Sequence, residues 1–597
     1  MKKVFLFLLG LSLIGTAAAQ AFQWPAGYAA GANQGGTVNE VIFGEVTTLN
    51  AVTSSSATES AILGMSSGGP SIIYRDWIGS RSYQTDGMWN LLWAESIEEV
   101  TPHTEFVITV KQGWMWSDGT EVTVDDVMAG YTIIGDPEVE SNDFSCTEVD
   151  GEPVVVEKLG DYQYSLNIPT PQVNGLANKT CPVIPAHVYM PVYEADGAAG
   201  VKAMYGVDAD PSTIVSAGPY VITEFVQAER IVLEKNPVYG ENVQAANGDP
   251  LPGPDKWIIT FVEDKNAQLA KVVTGEADFF YPENLDMLRA ITEAQNNGAV
   301  AGELLPNIGP DTLVDFITYN FNNTDPCKAE MFSNPTFRSA MSIIIDREAL
   351  VDAALGGIGV PAKDWNSAAA LPFGAPFLGD FEFNPEGAVS LLASAGYSAM
   401  GDDGVLYNPS TGCRVEFDLQ FNSGNNRRAQ EAQVISQIAE PYGVKINARE
   451  VATDIWANSI VGDLDYDETG MRTQDYDAQI WGLAGGDVDN PSFQNGLRIN
   501  TNLNSWNKSA VDVEPWEILM DRLTVKMNET LDLDERVAVY NERAQIMRDY
   551  LPMTPLISPA FHLYHNMSNV WETDKLDANS IESPYRPGGF RTTLATQ

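Results

Sequence analysis

Trp114 to Val127 read WMWSDGTEVTVDDV, which places four carboxylates, a serine and two tryptophans in one short stretch. Such a stretch is either a reactive site or a piece of scaffold. The preceding FVITVKQG has the alternation of a strand, Ser117-Asp118-Gly119 has the composition of a tight turn, and Thr123 to Asp126 has the Thr-x-x-Asp form of a capping box before an apolar helix. Turn and cap chemistry therefore account for Asp118 and Asp126 locally, and neither carboxylate needs a substrate.

Outward from this stretch, Met1 to Ala19 has two early lysines, an apolar run from Val4 to Ile14 and Ala17-Ala18-Ala19 before Gln20. That is the pattern of a cleaved signal peptide (1–19). The run is shorter than the ~20 apolar residues of a transmembrane helix, and no later stretch reaches that length. No cysteine follows the cleavage position to carry a lipid anchor, so the expected location is the periplasm.

The chain has 597 residues, 81 acidic and 34 basic, for a formal charge of −47; loss of Lys2 and Lys3 with the leader makes it −49. Such a surface repels nucleic acid and anionic lipid, which excludes those partners, and it speaks first to solubility. The length predicts two or three domains. Strand-like EFVITV, RIVLEK, KWIITFV and RVEFDLQF alternate with helical NAQLAKVVTG, PTFRSAMSIIIDREALVDAAL, PEGAVSLLASAG and RAQEAQVISQIAEPYG. The fold class is α/β. Cys146, Cys181, Cys327 and Cys413 lack C-x-x-C spacing, so two disulfides are expected rather than a zinc site. Three pairings are open, and the nearest in sequence, Cys146–Cys181 and Cys327–Cys413, are favoured.

Several segments together resemble the family 5 extracytoplasmic solute-binding proteins of ABC transporters, the dipeptide, oligopeptide and nickel receptors. The opening stretch resembles that family's W-S-D-G-x-x-(V/L)-T-x-x-D-V. Ala217 to Tyr220 with RIVLEKNPVY (Arg230 to Tyr239), AKVVTGEADF (Ala270 to Phe279), NPTFRSAMSIIIDREALV (Asn334 to Val351) followed by GGIGVPA (Gly356 to Ala362), SWNKSAVD (Ser505 to Asp512) and YNERAQIMRDYLPMTPL (Tyr540 to Leu556) follow in the family's order.

The resemblance implies a two-lobed periplasmic binding protein of the flytrap type (type II) with an extra subdomain. Lobe I would comprise 33–58, 215–315 and 556–597, the inserted subdomain 59–214, and lobe II 316–555. The insert would hold WMWSDG and Cys146–Cys181 away from the ligand. The chain would cross between lobes just before Phe316 and near Thr554 to Ile557. The expected function is capture of a short peptide or similar small solute and delivery to a membrane permease of an ABC importer, by a monomer that is not an enzyme and needs no cofactor. An oligosaccharide, metal or metallophore receptor is the alternative within the family.

Candidate ligand contacts carry over less directly. YDAQIWGLAGGDVDNPSF (Tyr476 to Phe493) resembles a family segment in which an acid following a Trp meets the ligand's ammonium group, which makes Trp481, Asp487 and Asp489 candidates; the acid lies further from the Trp than usual. Thr53, Ser54 and Ser55 occupy a position that commonly lines the family's cleft, although a helix start uses the same residue types. Asn422 and Arg427, after a strand of lobe II, are placed to meet a carboxylate, for which a guanidinium fork is suited.

Rival readings are weaker. Gly64 to Gly68 fits the G-x-S-x-G of a serine hydrolase around Ser66, but SATESAILG before it reads helical where that motif requires a strand. A carboxylate-pair glycosidase needs a separation that sequence does not supply. His103, His187, His562 and His565 are too few and too scattered for an expected metal site.

Overall fold

The computed structural model describes residues 22–23, 35–44, 46–54, 57–75, 89–244, 248–310, 313–362, 381–461, 476–484, 497–499, 501, 503–507, 509 and 513–566. The leader (1–19), Ser55, Asp487 and Asp489 lie outside them.

A continuous path of strands organises the chain. In spatial order they begin at Tyr220, Arg230, Lys256, Thr37, Phe279, Met553, Leu313, Ala478, Glu416 and Lys445. The pivotal member is Met553–His565. Its first part pairs antiparallel with Leu313–Tyr319, with Thr554 opposite Ile317 and Ile557 opposite Asp315. Its last part pairs with Glu303–Pro310, with Ala560 opposite Pro310 and His565 opposite Glu303. One strand thus belongs to two sheets. The strand of the first half ends at Pro310, that of the second begins at Leu313, and Met553–His565 changes partner near Ser558, a few residues from the crossings expected at Phe316 and Thr554 to Ile557. The Ser558 hydroxyl donates to the Leu313 carbonyl at 2.8 Å and ties the two crossings together.

Each half has its own core, because alternate residues of a strand face opposite sides. In the first half Val38, Ile42, Trp257, Ile259 and Leu563 pack on one face, and Val41, Val272, Ile291 and Tyr564 on the other. In the second half Ile317, Tyr319, Phe417, Leu419 and Ile480 form one core; Val314, Phe316, Trp481 and Trp506 form the opposite one. A separate antiparallel sheet of Ala94–Thr101, Glu105–Val110, Gln163–Asn167 and Val155–Gly160 carries the extra subdomain. The helix Ala57–Ser66 packs Ile62, Leu63 and Met65 into the core of the first half. Ile62, Leu63 and Met65, within the expected insert of 59–214, thus pack with the first half.

WMWSDG is scaffold of that subdomain. Trp114 and Trp116 are buried, and an Asp118 oxygen accepts from the Thr120 N–H at 2.9 Å across the turn. Thr123 and Asp126 form the capping box of helix Val124–Ile134. Asp126 also accepts from the Ala186 N–H at 2.7 Å, and Asp118 pairs with His187 at 2.8 Å; both partners are distant in sequence. Cys146 bonds Cys181, and Cys327 bonds Cys413. The apolar run from Pro335 to Leu355 divides into helices Pro335–Ile344 and Arg347–Leu355, because Ile345 is extended and Asp346 caps the second helix. Arg338 and Arg347 of this run are buried and donate to the carbonyls of Tyr550 and Pro555, at 2.8 and 2.9 Å. They anchor both helices to the chain entering the crossing strand.

Candidate functional site

In an α/β sheet the carboxyl ends of parallel strands open onto the loops that meet ligands. In the second half these are the ends of Glu416–Asn422, Lys445–Val451 and Ala478–Ala484; in the first they are those of Thr37–Ile42 and Lys256–Phe261. The two sets approach each other beside the crossings. A methyl group on Gly424 would lie 3.9 Å from the Glu263 carbonyl oxygen of the first half.

A buried charge cluster occupies this meeting point. Asp315, fully buried in the strand Leu313–Tyr319, receives Arg427 Nε at 2.6 Å on one oxygen. Its other oxygen receives Arg428 Nε and Nη2 at 3.2 and 3.1 Å. Arg428 Nη1 donates to Asn422 Oδ1 at 2.9 Å, and its guanidinium lies 5.0 Å from the centre of the Trp456 ring. Helix Asn426–Ala439, capped by Asn425, delivers both arginines from its first turn. Gly482 sits directly opposite Asp315 in the neighbouring strand, where any Cβ would fall 2.4 Å from the carboxylate. The glycine is thus required by close approach.

Burial alone would raise the Asp315 carboxyl, but Arg427 and Arg428 outweigh it and hold it below the usual carboxylate range. Glu431, one turn beyond Arg427 and 3.7 Å from it, behaves oppositely. It is fully buried, and neither of its oxygens has a hydrogen-bond partner among the described residues. Burial, then the Asp315 charge, push it well above the ordinary range, against the pull of Arg427 and Arg428. From the facing half comes Glu283, paired with Lys265 at 3.2 Å. Burial raises that carboxyl, but Lys265 and Arg427 more than offset it. Arg427 therefore acts electrostatically on both halves.

Of the candidate residues, Asn422 and Arg427 meet in this cluster. Among the described residues Arg427 uses only its Nε in hydrogen bonding. Trp481 is buried, with its ring edge-on to Phe316 at 4.7 Å and its indole N–H donated to Thr318 Oγ1 at 2.9 Å. It supports the floor of the second half. Thr53 is half-buried and its N–H donates to the Asn50 carbonyl at 3.3 Å. Ser54 is buried, and its carbonyl accepts from Asn142 Nδ2 of the subdomain at 2.7 Å. Asp315, Arg428, Glu431, Lys265 and Glu283 were not anticipated from sequence. A lone aspartate in the apolar run LVDFITY was the signal available.

Other motifs resolve structurally. Ser66 is fully buried at the end of a helix and donates to the Ile62 carbonyl at 2.8 Å, a geometry unlike the exposed strand-to-helix elbow of a hydrolase. Among the described residues no group of three or more His, Cys, Asp or Glu is arranged to hold a metal, and no helix is long and apolar enough to cross a membrane.

Comparison with known proteins agrees with this architecture. The profile of bacterial extracellular solute-binding proteins, family 5 (middle region), matches residues 90–505. A probable ABC transporter-binding protein of Deinococcus radiodurans is 34% identical over 587 residues, covering 95% of this chain and 94% of the relative. The oligopeptide-binding protein AppA of Bacillus subtilis, solved with a nonapeptide, superposes with a TM-score of 0.71 at 22% identity, covering 92% of this chain and 98% of that one. The periplasmic binding protein MelB of Agrobacterium fabrum, solved with stachyose, also superposes with a TM-score of 0.71, at 20% identity over 90% of this chain and 81% of that one. The fold is that of the two-lobed binding proteins, and the chain belongs to the bacterial extracellular solute-binding proteins of family 5.

Proposed function

We propose that the protein is the periplasmic receptor of an ABC importer, a monomer without catalytic activity that closes its lobes around a short peptide and presents it to the membrane permease. The observation that carries this reading is the Asp315–Arg427–Arg428 cluster at the meeting of the lobes, in which two guanidinium groups share one carboxylate beside Glu283 and Lys265 of the other lobe. A peptide carboxylate suits two arginines that share one acid, and the Arg427 guanidinium, whose Nη edge makes no hydrogen bond among the described residues, offers the fork for it. Asp487, or Asp489 after it, supplies the charge for the ammonium end; Thr53, Ser54 and Ser55 are further proposed contacts, and buried Trp481 acts as support. The AppA and MelB folds match this chain equally well, so fold alone does not discriminate peptide from sugar. Two arginines sharing one carboxylate favour an anionic ligand group over a neutral sugar, because a charge-assisted hydrogen bond to guanidinium is the stronger one.

Native mass spectrometry of the mature protein purified from its own periplasm tests this reading. A retained ligand bearing a free carboxylate and amine is the expected result. A retained neutral oligosaccharide or a metal complex overturns it.

A further inference from the structure

The subdomain inserted in lobe I reaches across to lobe II at two points away from the crossings. Arg498 of lobe II donates from Nη1 to Asp150 of the subdomain at 2.7 Å. The Val173 N–H of the subdomain donates to the Asn528 carbonyl at 2.7 Å. Both positions on lobe II are built for the contact. Arg498 is held by a second carboxylate of its own lobe, Asp521, through Nε and Nη2 at 2.9 and 3.3 Å, which leaves the remaining edge of the guanidinium directed outward. Asn528 lies in the last turn of helix Pro515–Glu529, where backbone carbonyls have no partner within the helix.

The subdomain side is braced to match. Asp150 and Gly151 form the tip of a hairpin between Glu148–Val149 and Glu152–Pro153, both with positive φ, at 49° and 85°. Asp and Gly tolerate that backbone, so the tip is a rigid two-residue turn. Cys146 precedes Asp150 by four residues, and its partner Cys181 follows Val173 by eight. The disulfide therefore joins the bases of both contacting segments. Lys179 joins them again, donating from Nζ to the Ser145 and Glu148 carbonyls, each at 2.6 Å.

We propose that the inserted subdomain is a clasp: its disulfide-braced Asp150 tip and Val173 loop grip lobe II, and they sustain a standing population of closed protein without ligand. Opening the cleft separates the two lobes and must break both contacts, whereas ligand contributes only the remainder of the closure energy. Such a device makes closure less dependent on the identity of the ligand side chains. It rests on the two-lobed architecture and not on any ligand assignment.

The test needs no ligand. The mature protein, stripped of bound solute by dialysis from denaturant with its disulfides intact, carries spin labels at Glu194→Cys in the subdomain and Ile518→Cys in lobe II, both exposed positions. All four native cysteines are paired, so only these sites react. Pulsed dipolar spectroscopy is expected to find a short-distance population that Asp150→Ala reduces roughly two- to fivefold, the range of a solvent-accessible ion pair. Arg498→Ala added to Asp150→Ala should change it no further, since both remove one contact. About 1 M sodium chloride should reproduce the loss in the unsubstituted protein by screening. Amide exchange at Val173 should quicken in Asp150→Ala, which a local change at the hairpin tip alone would not produce. An unsubstituted protein with no short-distance population, or distributions and Val173 exchange identical in all variants, would overturn the proposal.

Discussion

Two groups of carboxylates in this molecule are solved in opposite ways. In the subdomain, Asp118 and Asp126 are satisfied first by backbone N–H groups within three residues, at Thr120 and Thr123. In lobe II, Asp315 is satisfied by side chains more than a hundred positions away, Arg427 and Arg428. The first arrangement stabilises a turn and a helix start through groups close by in the chain. The second withdraws three charges from water and leaves them dependent on one another. Local carboxylates of this kind are replaceable supports, whereas the buried cluster holds charge in place where two lobes meet.

The largest consequence of that difference falls on stability. Asp315→Ala removes one partner and leaves two arginines buried without it, which costs ~3 to 5 kcal/mol. Urea unfolding followed by circular dichroism should show that loss, and a midpoint within error of the unsubstituted protein would break the comparison. The binding prediction comes next. Asp487→Asn should weaken a peptide by more than tenfold, on the ~2 to 5 kcal/mol cost of leaving the partner charge unpaired in a closed cleft. Calorimetry with the retained peptide and its N-acetyl form should show penalties that do not add. Additive penalties would move the ammonium site elsewhere.

A third prediction concerns pH at the crossing. His562 is buried on the crossing strand and accepts the Asn307 N–H through Nδ1 at 2.7 Å. Burial lowers its pKa to about 4, below the ordinary value of about 6.5. Between those values the unfolded chain binds a proton that the native imidazole refuses. Stability from this group is full above pH ~6.5 and declines as pH falls toward 4, by up to ~1.4 kcal/mol per pH unit. The melting temperature of His562→Gln should fall less steeply between pH 6.5 and 4.5 than that of the unsubstituted protein. Parallel curves would show that His562 is not the source.

The smallest effect belongs to the other group. Asp118→Asn should cost ~1 kcal/mol in urea unfolding and leave peptide affinity unchanged. Burial raises this carboxyl, but the Thr120 N–H and His187 hold it below its usual range. Its contribution is therefore present above the ordinary carboxylate range and lost as pH falls through the lowered value. Loss of binding in folded Asp118→Asn would erase the distinction between scaffold and site.

The amino-acid sequence by itself determined whatever is settled within a few residues. The strand, turn and capping box of WMWSDGTEVTVDDV depend on neighbours along the chain, as do EFVITV and RIVLEK, and their positions agree with the structure. The order of motifs was enough to place the chain in its family, because a shared fold preserves the sequence of such local units. The long apolar run ending at Leu355 was harder, since its hydrophobic spacing continues through the break that Asp346 makes by capping a new helix.

Tertiary structure alone decided the rest. Nothing along the chain announces that Asp315 would sit between Arg427 and Arg428, that Gly482 must lack a side chain to admit its carboxylate, or that Glu431 would be buried without hydrogen bonds from the described residues beside them. Nor does it announce that Asp150 would reach Arg498. Short-range order follows from backbone geometry and turn and cap chemistry, which each segment carries in its own residues. Long-range charge pairing follows from which strands become neighbours and how much water they exclude, and those are properties of the assembled fold.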